Sequence, residues 1–399
     1  MPSIPHPAST SEARSGLQHL VDRYRDFLDY RVDNENKKHF LVDILVSAIC
    51  AVLGGANSWL AVERFCVTHH TWLRSFLELP NGIPAHDTYR LVFLSLDAAE
   101  MNRRFASWMR DISQGLKLKQ LALDGKTLCG SGGGRTGLQA LHMVHAFAIE
   151  NGICLGQQAV DSKSNEITAI PELLKLLDLK GALVTIDAIG CQKEIAAEIV
   201  TRDGDYVLAV KGNQEHLHED VQQSLAPSIA GACTPETETG AQTEEVNRGR
   251  KEKRTCYVST DLSKIRDQKL WKGLKAIGVI VSEREVNGKL EVETRYFISS
   301  RVLSAHEMLK SVRDHWKVEN QLHWVLDVVF GEDAHQLRIG NGPKNFTTLR
   351  KLAHALIKNC KSKQSKYGIK GTREMAGWNT DFLEEIIHQA AVFPGNTSA

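Results

Sequence analysis

The sequence predicts an α/β protein in which a core of strands and helices is preceded by a helical domain and interrupted by a β-rich insertion. Apolar residues recur at helical spacing from Ser11 to about Gln114. Short apolar runs bounded by turn residues begin at Leu121, and a second group of strand-like runs follows after about Gly212. The 399 residues leave room for two or three structural units. The expected boundaries are 1–115 for the helical domain, 116–212 for the first part of the core, 213–300 for the insertion, and 301–399 for the second part of the core with a basic helical end.

The N-terminal helices are indicated by spacing and by turn residues. Apolar residues three and four positions apart run from Leu41 to Val52, and Gly54-Gly55 ends that run. Pro80-Asn81-Gly82 is a turn signal, and a further helix opens at His86. Helix, turn and helix are typical of a DNA-end-binding domain and also of small helical domains in general, so both interpretations stay open.

The core begins with three strand-like runs. Leu121–Asp124 is apolar and ends in a carboxylate, and the next two runs are joined by Asn151-Gly152, a strong hairpin signal. Helix, strand, helix and strand follow, at about 171–179, 182–186, 192–202 and 206–210. Three antiparallel strands followed by this alternation is the order of a ribonuclease-H-like domain.

The β-rich insertion follows a polar stretch from Gln214 to Arg254. Its strand-like runs lie at 255–259, 276–282 and 290–300, and Asn287-Gly288 predicts a second hairpin. A long helical segment is expected over 305–330, and a basic helical region over 343–360.

Composition excludes several classes of protein. Hydrophobic residues make up 42% and charged residues 24%, as in ordinary globular proteins. Lys and Arg total 49 against 48 Asp and Glu, which excludes a uniformly basic coat but not a local basic patch. Eight cysteines without a Cys-x-x-Cys pair suit reduced thiols in a cytoplasmic protein. The apolar run from Phe40 to Leu53 is too short to span a bilayer, so we expect no membrane partner.

Two carboxylates are notable for their positions. Asp124 and Asp187 each end an apolar strand, and strand ends of neighbouring parallel strands face one crevice. Carboxylates placed together repel each other unless a cation neutralises them, and oxygen ligands suit Mg²⁺ or Mn²⁺. The alternative is that each Asp only caps the loop that follows it.

A third acidic group is expected on the helical segment. His315, Glu319, His323 and Asp327 recur every four residues and so share one face. Glu319 there would complete a site of three carboxylates. The two histidines with Glu319 leave zinc as an alternative.

Two further acids compete with Glu319 for the third position, because Glu332 and Asp333 follow within two turns of Asp327. Three acids that hold two divalent ions can activate a water or a 3′-hydroxyl and stabilise the leaving oxygen of a phosphodiester.

A basic segment would meet the phosphates. Residues 338–373 contain ten Lys and Arg and no Asp or Glu, which favours a phosphate partner over a simple solvated surface. The residues expected from their positions to contact DNA are Lys126, Lys211, Arg338, Lys344, Arg350 and Lys351.

Four runs together resemble the insertion-sequence DDE transposases of the H-repeat-associated type. They are Leu121-Ala-Leu-Asp-Gly-Lys-Thr127, Thr185-Ile-Asp-Ala-Ile-Gly-Cys-Gln192, Ala209-Val-Lys-Gly-Asn-Gln214 and His315-Trp-Lys-Val-Glu-Asn-Gln-Leu-His-Trp-Val-Leu-Asp327. The resemblance implies a catalytic and metal-binding triad of Asp124, Asp187 and Glu319 with Mg²⁺ or Mn²⁺. It also implies cleavage of double-stranded DNA at terminal inverted repeats, strand transfer into target DNA, an active homodimer, and a bacterial, nucleoid-associated location.

The chain departs from the Tyr-x2-Arg-x3-Glu-x6-Lys signature of the wider superfamily. The corresponding positions are Val312, His315, Glu319 and Leu326, so only the glutamate is kept. Arg313, His315 or the downstream basic residues would take the roles of the missing cations. Two alternatives remain open from the sequence: a DNA-binding protein that has lost catalysis, and a metal-dependent nuclease without strand transfer.

Overall fold

The computed structural model describes residues 10–35, 37–113, 118–133, 139–160, 165–232, 236–247, 250–286, 289–360 and 367–391. The helices are α1 Thr10–Arg25, α2 Leu41–Leu53, α3 Trp59–Thr68, α4 His70–Leu73, α5 His86–Ser95, α6 Ala98–Ser113, α7 Glu166–Lys175, α8 Lys193–Thr201, α9 Glu215–Ile229, α10 Ala305–His315, α11 Trp324–Val328, α12 Gly342–Asn359, α13 Gly368–Trp378 and α14 Thr380–Ala391. The strands are β1 Gln120–Leu128, β2 Leu141–Ala148, β3 Ile153–Val160, β4 Leu183–Ile186, β5 Asp205–Val210, β6 Glu238–Asn247, β7 Arg250–Ser259, β8 Ala276–Val286 and β9 Lys289–Ser299.

One nine-stranded sheet runs through the structure, in the order β3-β2-β1-β4-β5-β9-β8-β7-β6. β1, β4 and β5 are parallel neighbours, and the other pairs are antiparallel. The expected mixed α/β class is therefore confirmed. The predicted order of three antiparallel strands, then helix, strand, helix and strand, is also present, as β1 to β3 followed by α7, β4, α8 and β5.

The insertion continues the core sheet, because β9 pairs directly with β5. The polar stretch that precedes the predicted strands contains α9, β6 and the start of β7, elements that the apolar pattern did not indicate. β6 has only two apolar side chains, Ala241 and Val246, and the first five residues of β7, 250–254, are all charged, so neither shows the apolar alternation that marks a half-buried strand. The expected turn at 287–288 lies outside the described residues, although β8 and β9 pair as a hairpin on either side of it.

The first and last helices pack together. α1 lies against α14 and α2 against α12, and their apolar side chains belong to one buried cluster with those of the core strands. α2 is buried along nearly its whole length, which explains its continuous apolar sequence. In the described part of the chain, we find no helix with the length and apolar character needed to cross a membrane.

The long helical segment expected over 305–330 is divided. α10 begins with a capping box, in which Ser304 and Glu307 each bond the other's backbone amide. A π-helical turn, Glu319–His323, separates α10 from α11. Such turns insert one extra residue into the helical repeat and occur often at functional sites.

Candidate active site

Asp187 directly follows β4, as expected, whereas Asp124 lies within β1, which continues as far as Leu128 because it pairs with β2 along that length. Leu123 of β1 pairs in register with Ile186 of β4, and Asp124 and Asp187 are the residues that directly follow this pair. The two carboxylates therefore sit at the same level of the sheet. Each also accepts backbone hydrogen bonds, Asp124 from Gly125 and Asp187 from Ile189, so the loop-capping role considered from the sequence is present as well.

The π-helical turn brings Glu319 to Asp124. His323 Nδ1 lies 2.6 Å from Glu319 Oε2 and 3.7 Å from Asp124 Oδ2. Among the described residues, Asp124, Glu319 and His323 form a group whose potential ligand atoms all lie within 4.8 Å of one another. Asp187 lies outside this group but close enough for its charge to act on Asp124.

Burial and neighbouring charges shift the pKa values of all three carboxyl groups. Burial raises the pKa of Asp124 to about 6, and the carboxylates of Glu319 and Asp187 add to the rise, whereas His323 opposes it. Burial likewise raises the pKa of Asp187, with Glu166 contributing and Lys211 opposing. The hydrogen bond from His323 lowers the pKa of Glu319. A buried carboxylate among other acids is costly without a cation, so these donors fit a hard divalent ion.

A cavity of about 200 Å³ opens beside the carboxylates. It is lined by Asp124, Asp187, Lys211, His315 and Trp316, among others. Lys211 is exposed, as a residue that meets a phosphate should be. His315 differs, because its Nδ1 lies 3.0 Å from Thr185 Oγ1 and burial lowers its pKa to about 4. It is thus a neutral side chain that lines the cavity, outside the group of potential ligands, and the zinc set of both histidines with Glu319 is not assembled.

Comparisons with known proteins identify the family of this chain. The family model described as Transposase DDE domain matches residues 113–356, and the DDE_Tnp_1-associated model matches residues 22–109. "Putative transposase YncI" of Escherichia coli O157:H7 is 40% identical over 93% of this chain and 95% of its own length. "H repeat-associated putative transposase YhhI" of Escherichia coli K12 is 37% identical over 93% of this chain and 98% of its own length.

The chain belongs to the insertion-sequence DDE transposases of the H-repeat type. A solved piggyBac transposase in a synaptic complex with hairpin DNA aligns over 95% of this chain and 84% of its own. Its sequence identity is 10% and its TM-score 0.42, which is too low to establish a shared fold.

In this transposase, Lys126 is part of an internal ionic cluster. Its side chain is 7% exposed, and its Nζ lies 2.7 Å from Asp327, 3.6 Å from Asp333 and 3.9 Å from Glu332. The expected DNA contact does not fit this position, because the ammonium already faces three carboxylates inside the protein. Burial lowers the pKa of Lys126, but the hydrogen bond to Asp327 and the neighbouring charges raise it more. Glu332 and Asp333 were the alternatives to Glu319 as the third ligand. Both lie near the Lys126 ammonium instead and are outside the group of potential ligands.

The basic residues of the transposase divide into exposed and buried ones. Arg313 is exposed and paired with Glu245 of β6 at 2.6 Å. Arg338 is exposed and Lys344 half-buried, and both line a cleft of about 500 Å³ that also contains His142 and Glu166.

Arg350 and Lys351 face inward instead, so the expectation that they contact DNA does not fit the structure. Both lie on α12, which is buried on nearly all sides. Lys351 is fully buried and donates to Gln157 and Thr347. Arg350 is 2% exposed, and its guanidinium stacks on Phe346 at 4.3 Å. The charge run in the sequence therefore overstates the basic surface of this segment.

One residue near the site was not singled out from the sequence. His145 of β2 is the direct cross-strand partner of Asp124, and its Nδ1 lies 3.0 Å from His323 Nε2. No motif marks His145, and the register of β1 against β2, which the sequence does not specify, is what brings it to the site.

Proposed function

We propose that this transposase cleaves DNA at the terminal inverted repeats of its element and joins the ends to target DNA, with Asp124, Asp187 and Glu319 as its metal-binding catalytic residues. The observation that carries the proposal is the convergence of three chain segments on one point. Asp124 of β1 and Asp187, directly after β4, lie at the same level of the sheet, and Glu319 of the π-helical turn lies close to Asp124. The family membership supports a transposase activity, and all three residues lie within the matched range.

The proposed core is ribonuclease-H-like. The strand order β3-β2-β1-β4-β5, with β1, β4 and β5 parallel, supports this assignment. The proposed insertion adds β6 to β9 to the edge at β5, and its strands β6 and β7 pack against α10. The boundaries at 115, 212 and 300 belong to the same proposal, as does end binding by the N-terminal helices.

Divalent Mg²⁺ or Mn²⁺, when bound, would activate the attacking water or 3′-hydroxyl and stabilise the leaving oxygen. The charges of both Glu319 and Asp187 act on Asp124, so we expect its carboxylate to serve both sides of the site. Backbone amides of the loop after β4 hold Asp187, and His323 holds Glu319. These contacts fix the carboxylates before substrate arrives, so little reorganisation is needed during reaction.

The proposed DNA path has one cation at the cavity and two more in the neighbouring cleft. Lys211 lies beside Asp187, and Arg338 and Lys344 line the neighbouring cleft. Arg313 would join them only by leaving Glu245. Because transposition brings two DNA ends together, the proposed active form is a homodimer on double-stranded DNA, in the bacterial cytoplasm and associated with the nucleoid.

The test is cleavage of a DNA fragment that carries the element's own terminal repeat, compared with a scrambled repeat. We expect cutting at the repeat boundary that requires Mg²⁺ or Mn²⁺ and is lost in Asp187→Asn, followed by joining to a target plasmid. Cutting without joining would support the nuclease alternative. Specific binding without cutting would support a DNA-binding protein that has lost catalysis.

The third ligand is tested separately. Glu319→Gln should abolish cleavage, whereas Asp333→Asn should retain it, since Asp333 is half-exposed and pairs with Lys126. Full activity in Glu319→Gln would overturn the assignment.

A further inference from the structure

Two histidines form a hydrogen-bonded chain behind Glu319. His323 Nδ1 lies 2.6 Å from Glu319 Oε2, and His323 Nε2 lies 3.0 Å from His145 Nδ1. Both imidazoles are buried, and the Nε2 of His145 has no hydrogen-bond partner in the described structure. This geometry allows His323 two different roles: a nitrogen ligand beside Asp124 and Glu319, or a donor that orients Glu319.

The two roles require different tautomers, and the tautomers of the two rings are linked. If His323 carries its proton on Nδ1 and donates to Glu319, its Nε2 accepts from the Nδ1 proton of His145. If His323 Nδ1 is instead free to bind a metal, its Nε2 proton must point at His145 Nδ1. The proton of His145 then moves to its Nε2, because a neutral imidazole carries one.

The unpartnered Nε2 of His145 distinguishes these arrangements. When His323 donates to Glu319, His145 Nε2 is a buried lone pair without a donor. When His323 Nδ1 binds the metal, His145 Nε2 is a buried N–H without an acceptor. Among backbone groups, a buried N–H without an acceptor is rarer than a carbonyl without a donor, and we extend the same preference to the imidazole, which favours the first arrangement. His145 is completely buried, and a neutral imidazole carries one proton, so this ring cannot satisfy both sides at once.

We propose that His323 is a positioning residue that donates a hydrogen bond to Glu319 and does not ligate the metal, and that His145 fixes the tautomer in which it can do so. The inference rests on the carboxylate centre of the proposed function. His145 is the cross-strand partner of Asp124, so the β1–β2 register places one ligand and the tautomer-setting ring together. The metal centre is then built from oxygen ligands, the set that Mg²⁺ and Mn²⁺ prefer.

Mn²⁺ bound to the full-length protein tests this without measuring activity. Pulsed electron paramagnetic resonance detects nitrogen directly bound to Mn²⁺, and we expect no such coupling in the native protein. His323→Leu should weaken Mn²⁺ binding about 10- to 100-fold, the range for lost outer-shell partners, and His145→Leu should weaken it less but in the same direction.

Asparagine variants separate positioning from folding. An asparagine amide reaches as far from the backbone as Nδ1 of histidine, so His323→Asn and His145→Asn retain a donor there and should recover most of the Mn²⁺ affinity. His70→Leu is the matched control: its Nε2 is also buried without a partner, but it lies on α4, far along the chain from the site. Its Mn²⁺ affinity should equal that of the native protein.

The outcomes are distinct. A strong nitrogen coupling that disappears in His323→Leu would make His323 a ligand and overturn the proposal. Unchanged Mn²⁺ affinity in the folded His145→Leu variant would show that His145 does not fix the tautomer of His323. Mn²⁺ binding that is insensitive to Asp124→Asn would instead overturn the carboxylate centre of the proposed function, and this inference with it.

Discussion

Lys126 Nζ lies 2.7 Å from Asp327 Oδ1, and this contact joins β1 to α11 just beyond the candidate active site. Lys126 follows Asp124 by two residues, and Asp327 follows Glu319 by eight. The two segments that supply carboxylates to one site are therefore also linked by an ion pair between buried Lys126 and half-buried Asp327. Glu332 and Asp333 extend the pair into a cluster.

Removing the ammonium should destabilise the protein. We expect Lys126→Met to lower the free energy of unfolding by about 3 kcal/mol, the lower end of the range for breaking a buried pair, because Glu332 is buried but Asp327 and Asp333 are partly exposed. Urea unfolding of the metal-free protein measures this. Lys211→Met, at an exposed position, should change stability by less than about 0.5 kcal/mol. Equal stability of the two variants would show that the cluster contributes little.

Some features of this region can be predicted from the sequence, whereas the surroundings of Lys126 cannot. The sequence correctly predicts that Asp187 follows the end of its strand, and the parallel pairing of β1 with β4 follows from the strand and helix order, but the apolar run ends at Asp124 while β1 continues to Leu128. The environment of Lys126 was not readable, since its partners lie about 200 residues away in the chain. A charge count likewise cannot tell exposed Arg338 from buried Lys351, because burial depends on how α12 packs against other helices.

Asp124 should oppose folding when no metal is bound. Its pKa is about 6 in the folded protein, against 3.8 for an ordinary aspartate, so the ionised form carries a penalty. The penalty is full above pH 6, diminishes as the folded protein takes up the proton, and is absent below pH 4. Asp124→Asn should therefore stabilise the metal-free protein at pH 7.5 by about 1–3 kcal/mol, and by almost nothing at pH 4.

Thermal or urea unfolding at both pH values checks this, with chelator present. Asp33→Asn is the control, because the Asp33 side chain is 95% exposed and should show no such pH dependence. A stability loss in Asp124→Asn at pH 7.5 would contradict the prediction. The same variant should have no cleavage activity, which would make Asp124 a residue kept for function at a cost in stability.

Arg373 of α13 connects distant parts of the fold. Its guanidinium donates to the backbone carbonyls of Val52, at the end of α2, and Val329, after α11, and stacks on Phe330 at 4.1 Å. Lysine carries the same charge but cannot reach several acceptors in a plane. Arg373→Lys should therefore cost about 2–4 kcal/mol of unfolding free energy, measured by urea titration. Lys370→Arg, the reverse exchange at a position 77% exposed, should be neutral.

The exposed and buried cations of the basic segment should differ in how they affect DNA binding. Each cation that contacts a phosphate contributes about 0.9 to the slope of log affinity against log salt concentration, through counterion release. Arg338→Gln and Lys344→Gln should each reduce that slope by about this amount and weaken binding to any sequence. Lys351→Met should leave the slope unchanged and lower stability instead, because its ammonium bonds Gln157 and Thr347 inside the protein. Fluorescence anisotropy with labelled duplex DNA at several salt concentrations measures all three slopes. A reduced slope in a folded Lys351→Met variant would mean that α12 turns outward when DNA binds.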